Sequence, residues 1–510
     1  MNESVAITGI AFELPGIRSW RDLIASLADK DTYIGELPSL RLQDIQNRYG
    51  AIEMAKGGFL PLIDQFDNKY FNVSVREAVK MPPEHRLFLM YALRALYDAG
   101  YSEEDVRGSN TGIFYTTARS AYSNYLDEGL SEFDSLYGIE GTRLANFLDL
   151  RGPVLSVNTT CSSSLVAVNN AVLSLSAGEC DMALVGGVKI ATMTKDMADR
   201  STVVSRKQHC KPFDEEADGL MNGEGVICIV LKRLKDAERD GDPVYGVIRG
   251  SAVNHGGARI SSLTAPSAEA QKEVIVKAWK NAGIRPDEIR FIEAHGTGTI
   301  LGDPIEFAGI KEAFLEYKLA DAPCSISSFK GQVGHLDTLS GLAGLVRLVA
   351  AVNAGTLPLQ ANFDRLNKHI NDSDCGIKVQ TAAETWEAKG GERIGGVSSF
   401  GLTGTNIHMI VSQKEGAAER HQDKDWFYLQ IGEDDEERLS RLKQQLQEQL
   451  SDLEAAQLGS FCEKINRVFQ LKNRSQGFVF STIDALRQQL KAQPEAIQQP
   501  MFYILDLELL

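Results

Sequence analysis

Four short segments of the chain hold residue types that could do chemistry. Cys161 stands in Ser156-Val-Asn-Thr-Thr-Cys-Ser-Ser-Ser-Leu165, a strand-like run that turns into a helix. A cysteine at a helix start meets the positive end of the backbone dipole, which favours thiolate, and the free N–H groups there can hold an oxyanion. The other reading is a structural cysteine, the usual fate of a free one. His295 ends an apolar strand in Phe291-Ile-Glu-Ala-His-Gly-Thr-Gly-Thr299. The glycines there let backbone approach a ligand, and Thr297 and Thr299 offer hydroxyls, or else cap the turn. His335 lies in Lys330-Gly-Gln-Val-Gly-His-Leu-Asp337. Each histidine alone reads equally as a structural residue. One nucleophile with two glycine-flanked imidazoles is a set that nucleophilic catalysis needs. The fourth segment, Gly395-Gly-Val-Ser-Ser-Phe-Gly-Leu-Thr-Gly-Thr-Asn-Ile-His408, places Phe400-Gly401 in a turn after a strand. Its backbone could add an N–H to an oxyanion, or it could be an ordinary β-turn. Asn406 and His408 read as serving the fold.

These segments need a scaffold. Strand-like runs at Ser4–Ile10, Thr111–Thr116, Met182–Gly187 and Gly225–Leu231 alternate with helix-like stretches such as Pro83–Ala99, where leucines recur at near-helical spacing. Residues 1–413 therefore read as a glycine-rich α/β body. An internal echo runs through it. Val154–Val157 is followed by a small-residue helix, Ser162–Ala177, and Cys324–Ser327 by another, Thr338–Ala354. Helices apolar all round are buried. The pattern suggests two similar halves packed about a shared centre; two unrelated core helices remain the alternative. After Gln413 the composition changes. Residues 414–423 read as a polar linker, and 424–510 as a small α+β appendage: an apolar run at Trp426–Ile431, a helix Arg438–Leu453 with leucines on one face, a second helix, a strand at Gly477–Ser481 and a further helix. Residues 494–510 are expected to extend over the neighbouring surface.

Composition narrows the function. The 510 residues carry 53 Lys plus Arg against 69 Asp plus Glu, a formal charge of −16, which argues against a sequence-independent nucleic-acid binder. No apolar run approaches a membrane span, and the N-terminus lacks the basic start and apolar core of a secretory signal. Seven scattered cysteines form no C-x-x-C, so neither a disulfide framework nor a metal site is expected, and a cytoplasmic setting is.

Taken in order, the four segments resemble the β-ketoacyl synthase family, most closely the ketosynthase domains of modular polyketide synthases. Thr160-Cys-Ser-Ser-Ser164 looks like the nucleophile motif, Glu293-Ala-His-Gly-Thr-Gly-Thr-x-x-Gly-Asp-Pro-Ile-Glu306 and Lys330-x-x-x-Gly-His335 like the two histidine motifs, and Val397-Ser-Ser-Phe-Gly-x-x-Gly-Thr-Asn406 like the C-terminal loop. Phe66-Asp67, Arg76-Glu77-Ala78, Arg151-Gly-Pro153, Cys210-Lys-Pro-Phe-Asp214 and Gly223-Glu-Gly225 add to the match. Asn158, Thr160, Met81-Pro-Pro-Glu-His-Arg86 and the stretch Arg18–Tyr49 depart from the usual pattern.

The resemblance implies a thiolase-type α/β fold of two pseudo-repeated halves in α-β-α-β-α layers, a homodimer, and no bound cofactor, since substrates arrive on the phosphopantetheine of acyl carrier proteins. The appendage resembles the linker between a ketosynthase and an acyltransferase. No acyltransferase or carrier-protein serine motif is evident after it, so the chain is expected to be either a stand-alone synthase served in trans by an acyltransferase or other synthase modules, or a fragment of a larger polypeptide. Cys161 would take an acyl chain, with the oxyanion between the N–H groups of Cys161 and Phe400. His295 and His335 would stabilise the enolate formed when a malonyl thioester loses carbon dioxide. Lys330, pairing with Glu306, would position the His335 loop; Thr297 and Thr299 would bind the pantetheine arm; Phe400, beside Gly401, would gate entry. Two alternatives stay open: a ketosynthase-like enzyme that moves acyl chains or joins them through a heteroatom, and a non-catalytic partner of another ketosynthase, which would be expected to lack the cysteine. A thiolase would need a second cysteine where Ser399-Phe400-Gly401 stands.

Overall fold

The computed structural model describes residues 3–117, 120, 122, 138–191, 193–260, 265–388, 391–414, 427–433, 435–451, 453, 458–468 and 474–491. The chain divides into two compact units, Met1–Ala417 and Ala418–Leu510.

In the first unit the order of elements repeats. The first half runs β1 (Val5–Glu13), α1 (Pro83–Ala99), β2 (Thr111–Thr117), β3 (Val154–Ser156), α2 (Ser163–Ala177), β4 (Met182–Lys189) and β5 (Gly225–Arg233). The second runs β6 (Gly246–His255), α3 (Ala268–Ala282), β7 (Ile289–Glu293), α4 (Gly302–Glu316), β8 (Cys324–Ser327), the single turn α5 (Lys330–Val333), α6 (Ser340–Ala354), β9 (Ile377–Val379), β10 (Ile394–Phe400) and β11 (Thr405–Ser412). Hydrogen bonding orders the strands β9-β8-β7-β10-β11-β6-β1-β5-β4-β2-β3. Within each half the pattern is the same: β3-β2-β4-β5-β1 and β8-β7-β10-β11-β6, with β9 added outside β8. The halves join where β1 pairs antiparallel with β6, Val5 opposite Ile248. The two echoed strand-helix segments occupy equivalent places.

Alternation along the strands sorts the layers. Ile227, Ile229 and Leu231 of β5 face a central core that contains α2, α6 and the inner faces of both halves. Val226, Cys228 and Val230 face an outer core with α1. The second half covers its outer face with α3 and α4 around Trp279 and Phe314. This is the expected arrangement of helices, sheet, two central helices, sheet and helices. Both central helices are rich in small residues because they are buried over most of their surface, α6 nearly throughout and α2 apart from Leu173 and its last turn. Gly341 of α6 shows why: a Cβ there would meet Leu165 Cγ of α2 at 2.7 Å. The helix read from Thr338 starts at Ser340, because a 3-10 turn, Asp337–Leu339, precedes it with Asp337 at φ +50°.

In the second unit, β12 (Phe427–Glu433) pairs antiparallel with β13 (Arg474–Phe480), and α7 (Glu436–Leu450), α8 (Leu458–Val468) and α9 (Ile483–Lys491) supply the helices. Leu439, Leu442, Leu446 and Leu450 of α7 pack with Leu429, Ile431, Phe478 and Phe480 in a core of their own. Asp435 caps α7 by accepting from the Arg438 N–H. The linker expected at 414–423 and the extension expected at 494–510 lie outside the described residues, apart from Lys414.

Candidate active site

Cys161 sits one residue before the cap of α2. The turn leading to it is held by side chains: the Thr159 N–H donates to Ser163 Oγ at 2.8 Å, and Ser162 Oγ donates to the Thr159 carbonyl at 2.9 Å. Thr160, just before the cysteine, stands at φ +58°, a left-handed conformation costly for a β-branched residue. The loop after β10 closes on this turn. Ser399 Oγ donates to the Cys161 carbonyl at 2.8 Å. Gly401 permits the approach, since a Cβ there would lie 2.4 Å from the Thr159 oxygen.

His335 Nε2 lies 3.1 Å from Cys161 Sγ, and its Nδ1 lies 2.7 Å from Ser340 Oγ. A serine hydroxyl can donate or accept, so Ser340 can hold either neutral tautomer of the ring. The His335 backbone is gripped on both sides, its N–H donating to the Met221 carbonyl at 2.6 Å and its carbonyl accepting from Gly223 at 2.9 Å. The His295 ring stands with its centroid 5.8 Å from that of His335, nearly perpendicular to it, and 5.7 Å from the Phe400 ring. His295 Nδ1 is buried with no hydrogen-bond partner among the described residues. Burial and the nearby Lys330 charge hold both imidazoles well below their ordinary basicity, so both are neutral near pH 7.

The acidic end of the first histidine motif explains itself here. Glu306, in the first turns of α4, accepts from the His295 and Gly296 N–H groups, each at 2.7 Å. Asp303 accepts from Thr297 and Gly298, each at 3.2 Å, and from Phe213 at 2.7 Å. Two carboxylates thus hold the Gly-Thr turn by its backbone. Burial raises both above the ordinary carboxylate range, Asp303 to about 6. Thr297 and Thr299 hydroxyls lie 3.2 Å apart, half-buried at this turn.

Three expectations from the sequence need correction. First, Cys161 is not a ready thiolate: desolvation pushes the thiol up to about 11, outweighing the helix start and the Lys330 charge. Alkylation of Cys161 by iodoacetamide should therefore accelerate steadily between pH 7 and pH 10, about tenfold per unit as thiolate accumulates; intact-mass kinetics check this, and a plateau near pH 7 would show a depressed pKa instead. Second, the backbone N–H directed at the sulfur along with that of Cys161 is Leu402, two residues beyond Phe400. Phe400 contributes its ring against His295. Sequence reading stopped at the Phe-Gly turn because the turn's exact reach is set by how closely Gly401 nests on Thr159. Third, Lys330 and Glu306 attract each other across the interior, but no ion pair joins them among the described residues, because both Glu306 oxygens are engaged by backbone. Lys330 is buried, its charge disfavoured by desolvation, and lines a cavity of about 10 Å³ with Glu293 and Ser340, room for one water.

Sequence reading also missed the pair behind the site. Glu293, two residues before His295, accepts from Arg347 Nη1 and from the Phe329 N–H, each at 2.7 Å. Arg347 of α6 also donates to Ser327 and to the Leu359 carbonyl. The pair ties the strand end before His295 to the turn before Lys330, with both side chains at most 2 % exposed. Arg347→Met should leave Glu293 buried and unpaired and cost about 3–5 kcal/mol, read as a lowered denaturant midpoint.

Comparison with known proteins agrees with this fold. Residues 2–237 match the family model "Beta-ketoacyl synthase, N-terminal domain", and residues 245–364 match "Beta-ketoacyl synthase, C-terminal domain". A phenolphthiocerol/phthiocerol polyketide synthase from Mycobacterium tuberculosis is 39% identical over 430 residues, 81% of this chain and 23% of that protein. The polyketide synthase PksN of Bacillus subtilis is 37% identical over 437 residues, 81% of this chain and 8% of that protein. The chain thus spans under a quarter of the length of these relatives. Among solved structures, the ketosynthase from module 6 of the bacillaene synthase of Bacillus subtilis superposes with a TM-score of 0.86 at 30% identity, covering 96% of this chain and 84% of that one. The oxazolomycin ketosynthase domain OzmH KS7 of Streptomyces albus gives 0.86 at 27% identity, covering 96% and 88%.

Proposed function

The chain belongs to the β-ketoacyl synthase family, and from that premise we propose that it is a working ketosynthase of the polyketide type, joining acyl chains to malonyl units by decarboxylative Claisen condensation. The observation that carries this reading is the meeting of Cys161, His335 and His295 at one point, with the sulfur 3.1 Å from an imidazole nitrogen.

In this reading the Cys161 thiol passes its proton to His335 Nε2 as the sulfur attacks the thioester carbonyl of an acyl chain borne by a carrier protein. The resulting oxyanion is held by the N–H groups of Cys161 and Leu402. Collapse expels the pantetheine sulfur, which takes the proton back from His335, and leaves acyl-Cys161. A malonyl thioester follows. Loss of carbon dioxide puts charge on its carbonyl oxygen, which accepts N–H bonds from neutral His295 and His335. The enolate carbon attacks the acyl-Cys161 carbonyl, the tetrahedral adduct collapses, and the cysteine sulfur leaves as thiolate, which then takes a proton from water. The product is a β-ketoacyl thioester longer by two carbons. The low basicity of both rings suits the second step, since each stays neutral and can donate an N–H to the enolate, with Ser340 accommodating the His335 tautomer that does so. Thr297 and Thr299 flank the pantetheine path, and no metal or bound cofactor has a part.

The chain is further proposed to act as a homodimer in the cytoplasm, with an acyl carrier protein and an acyltransferase or other synthase modules as its partners. All seven cysteines are free thiols, and no helix among the described residues is long and apolar enough to cross a membrane. β3 is the edge of the large sheet, and its Leu155 is 45% exposed. A second copy would cover it. Light scattering should give twice the chain mass of 55.9 kDa; a monomer at micromolar concentration would refute it.

The deciding experiment mixes acyl-loaded protein with malonyl-carrier protein and weighs the products. A gain of two carbons with loss of carbon dioxide is expected. Transfer of the acyl chain without extension, or its capture by a hydroxyl or amine, would replace this reading with the non-elongating one.

A further inference from the structure

Beside the three reacting side chains lies a polar group of residues that the mechanism does not use. Lys189 ends β4, and Asp337 comes two residues after His335. Lys189 Nζ and Asp337 Oδ2 are 3.4 Å apart, a loose pair, with side-chain exposures of 16% and 40%. The strand register fixes which way Lys189 faces. Gly187 pairs with Thr116 of β2, and its missing Cβ would meet Leu339 at 3.2 Å. Lys189, two residues on, shares that face, towards the 3-10 turn 337–339 that links His335 to α6.

Two further hydroxyls lie on the neighbouring backbone, Thr116 opposite Gly187 and Thr338 next to Asp337. Thr116 is fully buried and Thr338 is 4% exposed, and neither Oγ1 has a hydrogen-bond partner among the described residues. A buried hydroxyl with no partner costs free energy unless a ligand or water completes it. The group acts on the reacting atoms already: the Asp337 charge opposes ionisation of Cys161, and the Lys189 charge opposes that of His335. An unsubstituted alkyl chain drawn past this corner would desolvate an ion pair and leave two hydroxyls unsatisfied.

We propose that Lys189, Asp337, Thr116 and Thr338 form the near wall of the acyl subsite and select chains that carry a hydroxyl within the first few carbons of the thioester. The hydroxyl donates to the free Asp337 oxygen and accepts from Lys189 or a threonine. This rests on Cys161 being the residue that takes the acyl chain.

The test offers the full-length protein butyryl and 3-hydroxybutyryl N-acetylcysteamine thioesters, each hydroxyl enantiomer separately, and follows acylation of Cys161 by intact mass. One hydroxy enantiomer should load at least about tenfold faster than butyryl, because a site built to bond a hydroxyl discriminates against its absence. Lys189→Met should bring the two rates to within about twofold, mainly by speeding butyryl, while Lys189→Arg keeps the preference. Equal loading by the wild-type protein overturns the proposal without any variant, as does a preference undiminished in Lys189→Met. If butyryl loads Cys161 well and without discrimination, only the selectivity falls. If no thioester modifies Cys161, the acyl-enzyme reading falls with it.

Discussion

Cys161→Ala should show no acylation at all when offered acyl-carrier or acyl-pantetheine thioesters, and elongation should drop to background. Six other cysteines are present, but the structure gives none of them comparable surroundings. Cys180, Cys210, Cys228, Cys324 and Cys462 are buried, and burial raises the Cys228 and Cys324 thiols far above the ordinary range. Cys375 is half-buried, its thiol directed at the Asp372 carbonyl, 3.3 Å away. Among the described residues, only Cys161 has a neutral imidazole nitrogen within hydrogen-bond reach and two backbone N–H groups at its sulfur. Removing the nucleophile of a cooperating set costs roughly 10⁶-fold in the chemical step. Intact-mass measurement would show acyl mass on the wild-type chain and none on the variant. Acyl mass retained on another residue would overturn the assignment.

His295→Ala should separate the two halves of the reaction. His295 faces His335 across a ring-to-ring distance of 5.8 Å, while the direct partner of the sulfur is His335. Acylation of Cys161 should therefore proceed within a few-fold of the wild-type rate. Decarboxylation of malonyl-carrier protein should fall by about 10²–10³, the effect of removing one donor from a developing oxyanion. His335→Ala should slow both steps, since that ring contacts the thiol and faces the enolate site. Carbon dioxide release from labelled malonyl thioester and loading by mass make the comparison. Equal losses of loading in both variants would show that the histidines act as one unit, and the assigned division of labour would be wrong.

Much of this was legible in the chain itself. Pro83–Ala99 reads as a helix from its leucine spacing and is one, with Leu87, Leu89, Leu93 and Leu96 all buried. The echo of two small-residue helices showed the twofold layout, since extensive burial leaves a compositional mark. Cys161 could be read from a strand-to-helix turn, and His295 and His335 from glycine-flanked turns, in motifs that match a known family. Energetics at the site were less accessible. A helix start suggested an acidic thiol, but the magnitude of desolvation depends on everything packed around the sulfur, which no local window shows. Leu402 has no chemical signature, because its contribution is a backbone N–H. Arg347 and Glu293 are 54 positions apart and meet only once β7 and α6 are layered together.

The layout also sets the smallest piece that can work. Cys161 precedes one central helix and His335 precedes the other, and their contact crosses the seam between two structurally equivalent halves. Neither half carries a complete reaction centre, so a polypeptide severed near Gly241–Tyr245 would divide the nucleophile from both of its imidazoles. Chemistry here is a property of the pairing, and any mutation that loosens the fit of α2 on α6, such as a larger residue at Gly341, should misalign the reacting atoms before it unfolds the molecule.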